Sequence, residues 1–169
     1  VVWPESATPF SFRLDPRAER VRDIARTRSV HLLVGSTDIT WSDEPKYYNA
    51  AIMVDPRGRT PAVYHKQHLV PWGEYVPLRN WLFFVSPLVE NVGGFTAGAS
   101  ATLLPVRDYR IGTAICYEII YPGLVRELVT GGSQLLTTIT NDAWYGRSSA
   151  PHQHFQMATM RAIESGRYL

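Results

Sequence analysis

The sequence of 169 residues contains a single cysteine, Cys116, which excludes a disulfide within the chain because a disulfide needs two thiols. Lysine is almost as rare, since only Lys46 and Lys66 occur among 17 basic residues. The net charge of +2 is too balanced for a nucleic-acid-binding surface, and the arginines are scattered along the chain. Nucleic acid is therefore not an expected partner.

Long hydrophobic runs are also missing. No stretch approaches the ~18 consecutive apolar residues that a membrane helix requires, and no signal peptide opens the chain. The chain begins without methionine and ends without a capping signal, so we expect a piece of a longer protein whose other segments decide its localisation. With 45% apolar residues, it can bury one substantial core, which predicts a single domain over residues 1–169.

Apolar runs rich in β-branched residues alternate with amphipathic helical patterns, which is typical of a layered α/β domain. Helices are predicted after Asp15-Pro16, over 122–130 and over 150–166. The chain opens with a strand-like segment over 1–3, and further strands are predicted over 30–37, 47–54, 60–64, 101–106, 110–116 and 134–140. Between residues 68 and 101, prolines and glycines interrupt every pattern, which indicates a long functional loop.

Cys116 lies among isoleucines, and taken alone this apolar setting favours an inert, buried thiol. Three chemically capable residues, however, stand at the ends of predicted strands: Glu5, Lys66 and Cys116. Taken singly, Glu5 and Lys66 are typical of solvated loop charges. Because α/β folds usually place their chemistry at strand ends, we expect the three to form one site.

A Glu-Lys-Cys set has a clear chemical logic. A thiol with a pKa near ~8.5 is mostly protonated at neutral pH and needs a base or a nearby positive charge. Glu5 would supply the base. Lys66 would favour the thiolate and then stabilise the oxyanion of a tetrahedral intermediate, together with the backbone amide of Tyr117.

Five motifs carry a resemblance to a known family. They are residues 3–6 (WPES), 64–78 (YHKQHLVPWGEYVPL), 116–118 (CYE), 140–146 (TNDAWYG) and 161–167 (RAIESGR). They are spread along essentially the whole chain and resemble the nitrilase superfamily of carbon-nitrogen hydrolases, most closely its bacterial apolipoprotein N-acyltransferase family. The long middle motif is the most specific of the five.

The resemblance implies a nitrilase-like four-layer αββα sandwich, here truncated at both ends, with catalytic residues Glu5, Lys66 and Cys116. It also implies functionally important carboxylates at Glu74 and Glu118, with a further one at Glu164. The parent protein would carry membrane helices that are absent here, and its catalytic domain would lie on the periplasmic side of the bacterial inner membrane. No metal or organic cofactor is implied.

The implied reaction is a ping-pong acyl transfer. Cys116 attacks a phospholipid ester, lysophospholipid leaves, and the thioester passes to the N-terminal amine of a diacylglyceryl-cysteine lipoprotein. Glu5 would serve both halves as a proton acceptor and donor. The implied partners are therefore a phospholipid donor, a lipoprotein acceptor and the membrane.

Further predictions concern the supporting carboxylates. Glu118 follows Cys116 by two residues, so it shares the side of Cys116 if the strand continues, and we expect it to support the site. Glu74 is expected to keep Lys66 charged and oriented. Glu164 follows Met160 on one helical face, which predicts an inward-facing carboxylate with a structural role.

Transfer rather than hydrolysis requires that water be kept from the thioester, and Trp144 and Tyr145 are the candidates for a lid or an acyl-channel wall. Simple packing is the alternative for both. The same question arises for aromatic residues of the long loop, which either contact the bilayer interface or fill a core beneath it. These are Trp72, Trp81, Phe83 and Phe84.

Three alternatives remain open. The first is a soluble nitrilase-type amidase that hydrolyses a small amide or nitrile with the same triad, although the 71–77 segment argues against it. The second is a metal site, for which no fixed ligand spacing emerges. Its candidate ligands are His65, His68, His152, His154 and Cys116. The third is a chain that is catalytically inactive on its own.

Overall fold

The computed structural model describes residues 1–75 and 94–169, so the predictions for Trp81, Phe83 and Phe84 lie outside the described residues. The helices are α1 (Ala18–Arg28), α2 (Pro122–Thr130) and α3 (Ala150–Ser165). The strands are β1 (Leu32–Trp41), β2 (Pro45–Val54), β3 (Ala62–His65), β4 (Leu104–Val106), β5 (Tyr109–Ile115) and β6 (Leu135–Ile139). Two short 3₁₀ helices cover Cys116–Ile120 and Asp142–Tyr145.

The strands form two three-stranded sheets. In the first sheet β2 lies between β1 and β3, and both pairings are antiparallel. In the second sheet β5 pairs antiparallel with β4 and parallel with β6. Parallel neighbours need a crossover connection, which α2 provides. The strand-helix-strand order predicted from the sequence is therefore confirmed.

Three hydrophobic clusters stack these elements into layers. The first joins α1 to one face of the first sheet, where Ala25 and Val34 are fully buried. The second lies between the two sheets and includes Tyr64 and Ile115. The third packs the second sheet against α2 and α3. Helix, sheet, sheet and helices thus form the αββα order that the resemblance implies.

Two predicted strands differ from the structure. The strand predicted over 101–106 is regular only from Leu104, because residues 101–103 lack a strand partner. The strand predicted to run through Cys116 ends at Ile115. Cys116 has a φ of 55° and begins a 3₁₀ helix, so the chain leaves the sheet at the thiol. The start of the chain contributes a parallel bridge between Val2 and Leu33.

In residues 1–75 and 94–169, no helix combines the length and the apolar character needed to cross a bilayer.

Candidate active site

Glu5, Lys66 and Cys116 line a single cavity of about 290 Å³. Glu5 and Lys66 come from the first sheet and its leading segment, whereas Cys116 comes from the second sheet. The cavity is walled in addition by Asn49 and Tyr145. The structure therefore brings the three predicted residues together, although they are far apart in the sequence.

Glu5 reaches the site because its segment runs very close to β1. The N–H of Trp3 donates to the Leu33 carbonyl at 2.8 Å, and the N–H of Ala7 donates to the Gly35 carbonyl at 2.9 Å. A Cβ at Gly35 would lie 2.2 Å from the carbonyl oxygen of Pro4, so only glycine permits this approach. Gly35 thereby sets the position of the Glu5 main chain.

Lys66 follows β3 and is almost completely buried, with 1% of its surface exposed. Its N–H donates to the Asn49 carbonyl at 2.9 Å, and its carbonyl accepts from the N–H of Gly98 at 2.8 Å. The Nζ atom lies 2.8 Å from Oε2 of Glu74 and 3.7 Å from Oε1 of Glu5. Two carboxylates therefore lie within ion-pair distance of one buried ammonium group and offset the cost of its burial.

Asn49 was missed by the sequence predictions. Its Nδ2 donates to Oε1 of Glu5 and to Oε1 of Glu74, both at 2.7 Å, so one amide group holds both carboxylates. The second oxygen of Glu5 accepts from the N–H of Asn141 at 3.1 Å. A signal existed in the sequence, because Asn49 is a polar residue at the start of the apolar run 50–54.

Glu118 is fully buried and surrounded by donors. It accepts from the Tyr64 hydroxyl at 2.9 Å and from the N–H of Ile115 at 2.8 Å. It also accepts from the N–H groups of Gln67 and His68, at 2.7 and 3.0 Å. Glu118 consequently ties the turn at the thiol to the segment that follows Lys66.

The expectation that Glu118 shares the side of Cys116 is wrong, because the strand does not continue beyond Ile115. Its carboxylate is not among the groups that line the cavity. Burial raises the pKa of Glu118, and the surrounding N–H donors act against that rise. Burial, with the nearby Glu118, also raises the pKa of Tyr64, so that the Tyr64 hydroxyl keeps its proton and donates it.

Burial raises the pKa of the Cys116 thiol above its usual value, and the negative charge of Glu5 adds to the rise. The Thr140 hydroxyl, the Lys66 charge and the Tyr117 amide act in the opposite direction without overcoming it. Burial and the Glu5 charge thus favour the neutral thiol over the thiolate. Such a thiol needs a general base, and Glu5 is the carboxylate whose charge acts on it.

The raised pKa of Cys116 predicts a test with the variant Glu5→Gln. Removing the Glu5 charge removes one cause of the rise, so the pH midpoint for alkylation of Cys116 by iodoacetamide is expected to fall. The measurement is the alkylation rate between pH 6 and 11, roughly the range that brackets a raised thiol pKa. An unchanged or higher midpoint would argue against a Glu5 charge acting on the thiol.

The aromatic candidates differ in position. Tyr145 lines the cavity, and burial, followed by the nearby Cys116, raises the pKa of its hydroxyl. Trp72 is 56% exposed and has a φ of 63°, with its N–H donating to the Tyr75 carbonyl. The main chain of Trp144 lies in the 3₁₀ helix Asp142–Tyr145. The Tyr117 side chain is 39% exposed and does not line the cavity, so only its amide can serve the site.

The inward-facing position predicted for Glu164 is wrong. Its side chain is 48% exposed and pairs with Arg161 at 2.9 Å on the outer surface of α3. Met160 and Ile163 on the same helix are also exposed. The apolar stripe that suggested burial therefore faces outward, because the opposite face of α3, with Ala158 and His154, is the buried one.

The histidines considered as metal ligands have separate partners. His65 lies 2.7 Å from Asp38, and His68 stacks on the ring of Tyr121. His154 lies 3.0 Å from the carbonyl oxygen of Cys116. Over the two described ranges, no group of three or more histidine, cysteine or acidic residues is arranged to hold a metal ion.

Comparison with known proteins gives consistent matches along the whole chain. Residues 1–169 match the family model described as carbon-nitrogen hydrolase. Proteins named apolipoprotein N-acyltransferase are 46% identical in Geobacter metallireducens and 39% identical in Brucella suis, each over 98% of this chain and 32% of that protein. The protein of that name from Azotobacter vinelandii is 42% identical over all of this chain and 33% of its own length. The chain therefore spans about a third of these relatives.

Solved structures are similar in fold. A carbon-nitrogen hydrolase from Helicobacter pylori matches 99% of this chain and 58% of its own, with a TM-score of 0.70 and 18% identity. An amidase of the nitrilase superfamily from Nesterenkonia matches 98% of this chain and 59% of its own, with a TM-score of 0.66 and 22% identity. With the fold and the family model in agreement over residues 1–169, this chain belongs to the carbon-nitrogen hydrolase family.

Proposed function

We propose that this chain is a catalytic domain that transfers a fatty acyl group from a phospholipid, through a thioester on Cys116, to the N-terminal amine of a diacylglyceryl-cysteine lipoprotein. The observation that carries the proposal is the common cavity of Glu5, Lys66 and Cys116, with Lys66 held between two carboxylates. The name shared by the similar proteins supports an amine as the acyl acceptor.

The first half of the proposed reaction acylates the thiol. Glu5 takes the Sγ proton of Cys116 while Sγ attacks the ester carbonyl, and a carbon-sulfur bond forms. Lys66 and the N–H of Tyr117 stabilise the oxyanion of the tetrahedral intermediate, and one such donor contributes about 3 kcal/mol. The intermediate collapses when the carbon-oxygen bond breaks, and lysophospholipid leaves with the proton that Glu5 returns.

The second half transfers the acyl group. Glu5 is again a free base, and it takes a proton from the attacking amine as the carbon-nitrogen bond forms. The carbon-sulfur bond then breaks, and the thiolate recovers its proton from Glu5. Because the same base serves both halves, its carboxylate must stay fixed, and donors from Asn49 and Asn141 hold both of its oxygens.

Water must be kept from the thioester between the two halves. Tyr145 and Phe95 are aromatic residues that line the cavity, and Tyr145 is proposed to cover the thioester, with Trp144 next to it in the same 3₁₀ helix. Trp72 is exposed near Glu74, and an exposed aromatic at this point suits contact with a lipid surface.

The domain organisation and location form part of the proposal. The curated relatives are about three times as long as this chain, which supports further segments in the parent protein. By the motif resemblance, those segments include membrane helices, and the catalytic domain lies on the periplasmic side of the bacterial inner membrane.

The test is to incubate the intact protein with phospholipid vesicles and to examine the Cys116 peptide by mass spectrometry. An acyl adduct that hydroxylamine removes is expected on Cys116, and addition of a diacylglyceryl peptide is expected to discharge it. The variant Cys116→Ser is expected to form no thioester. If the adduct is absent and the protein hydrolyses a small amide or nitrile, the proposal is wrong and the protein is a nitrilase-type amidase.

A further inference from the structure

His154 lies behind the candidate nucleophile, on the buried face of α3, and only 7% of its surface is exposed. Its Nε2 lies 3.0 Å from the carbonyl oxygen of Cys116. A carbonyl oxygen can only accept, so Nε2 carries the hydrogen in this contact. The main chain of Cys116 has therefore left the sheet ladder and is held by a side chain instead.

The other side of the imidazole ring is also fixed. Nδ1 lies 3.2 Å from Oδ1 of Asp142, and the Thr140 hydroxyl donates to the same oxygen at 2.7 Å. Both Thr140 and Asp142 belong to the loop that follows β6. This loop and α3 together determine where the ring stands, and a proton on Nδ1 or on Asp142 satisfies the second contact.

The peptide group between Cys116 and Tyr117 connects this contact to the cavity. A trans peptide is planar, and its N–H points opposite to its C=O. When His154 holds the Cys116 carbonyl from one side, the Tyr117 N–H of the same plane is aimed to the other side. That amide is one of the groups that lower the pKa of the Cys116 thiol, which agrees with an N–H on the sulfur side of the peptide plane.

Cys116 needs such a hold because its backbone is strained. A φ of 55° is unfavourable for a residue with a side chain, and it persists only where surrounding contacts enforce it. A donor on the carbonyl also polarises the peptide and strengthens the N–H as a donor at its other end. His154 can thus act on both the direction and the strength of the Tyr117 amide.

We propose that His154 is a positioning residue that orients the peptide between Cys116 and Tyr117, so that the Tyr117 N–H serves as an oxyanion donor. The proposal rests on acyl chemistry at Cys116, but not on the identity of the lipid donor or of the acceptor.

Two substitutions separate positioning from structural support. In His154→Gln, the side-chain nitrogen reaches the place of Nε2 and can still donate to the Cys116 carbonyl. In His154→Asn, the nitrogen reaches only the place of Nδ1, so the carbonyl loses its donor. His152→Asn is the matched control, because His152 lies two residues earlier on α3 and is exposed.

Two rates are measured on the intact protein. The first is the burst of p-nitrophenol released when a p-nitrophenyl ester acylates Cys116. The second is the rate at which iodoacetamide alkylates Cys116. Ester attack forms an oxyanion, whereas alkylation does not. His154→Asn is expected to slow the burst about a hundredfold, as loss of an oxyanion donor does, with a much smaller effect on alkylation. His154→Gln is expected to stay within about tenfold of the unmodified protein, and His152→Asn to be unchanged.

Two outcomes would overturn the proposal: equal burst rates in the two His154 variants, or burst and alkylation rates that fall by the same factor. Either outcome would mean that the His154 ring only packs against its neighbours. If phospholipid does not acylate Cys116, the p-nitrophenol burst can still be measured. Failure of the proposed function can therefore be distinguished from failure of this inference. Thermal unfolding of both variants separates either result from a general loss of structure.

Discussion

Replacing Lys66 by methionine is expected to lower the rate of Cys116 acylation by about a hundredfold to a thousandfold, because the site loses its only described ammonium group beside the thiol. Methionine has a similar length and is apolar, so it fills the same buried space. The carboxylates of Glu5 and Glu74 then face each other without a cation, although Asn49 still holds both.

The same substitution is expected to destabilise the fold. Removing one partner of a buried ion pair costs about 3–5 kcal/mol, because the remaining charge stays desolvated. In Lys66→Met the carboxylates of Glu5 and Glu74 stay buried without their cation. The free energy of unfolding of this variant in urea is therefore expected to fall by about 3–5 kcal/mol.

Lys46→Met provides the control, because Lys46 is the only other lysine and lies exposed on β2. It removes the same charge from the chain without touching the cavity. Acylation rates and urea unfolding compare the two variants. If the acylation rate of Lys66→Met stayed within about tenfold of the rate of the unmodified protein, Lys66 would be removed from the proposed mechanism, because loss of an oxyanion donor lowers the rate by more than that.

The variant Glu118→Gln is expected to lower the free energy of unfolding by about 3 kcal/mol, because a buried acceptor is replaced by a donor. Each oxygen of Glu118 accepts at least one main-chain N–H, so neither orientation of the glutamine amide avoids a clash of hydrogens. One orientation opposes the Ile115 N–H, and the other opposes those of Gln67 and His68.

Loss of these bonds is expected to release both the turn at Cys116 and the segment after Lys66. Acylation should therefore fall more steeply than the fraction of folded protein. Glu164→Gln is the control, since Glu164 is a half-exposed carboxylate paired with Arg161 on the surface of α3. Surface pairs of this kind contribute about 0–1 kcal/mol. Equal unfolding free energies for the two variants would show that Glu118 does not hold the turn.

Sequence patterns predicted most of the layers because periodicity reports burial directly. The prediction of a helix over 122–130 matches α2, and the predicted strand 47–54 lies within β2. Glu74 could also be associated with Lys66 from the sequence, since both belong to one motif. The geometry agrees, with the two groups 2.8 Å apart, whereas the catalytic roles remain predictions.

What the sequence did not indicate depends on backbone conformation and on distant contacts. The left-handed conformation at Cys116 is not marked by a glycine in the sequence, so the predicted strand continued through Cys116. Glu118 was therefore predicted to lie on the same side of the chain as the thiol, which is wrong. Asn49 and His154 act on groups more than thirty residues away. For Glu164 the apolar pattern was ambiguous and the prediction was wrong, because α3 carries apolar residues on both its buried and its exposed face.

The division of the site between two sheets has a consequence for the nascent protein. Glu5 and Lys66 are presented by the first sheet, whereas Cys116 is presented by the second, and the cluster around Tyr64 and Ile115 joins them. Each sheet alone therefore carries only part of the chemistry. In the proposed mechanism the thiol meets its base only when the layers have docked, so a partly folded chain would not be acylated by this route.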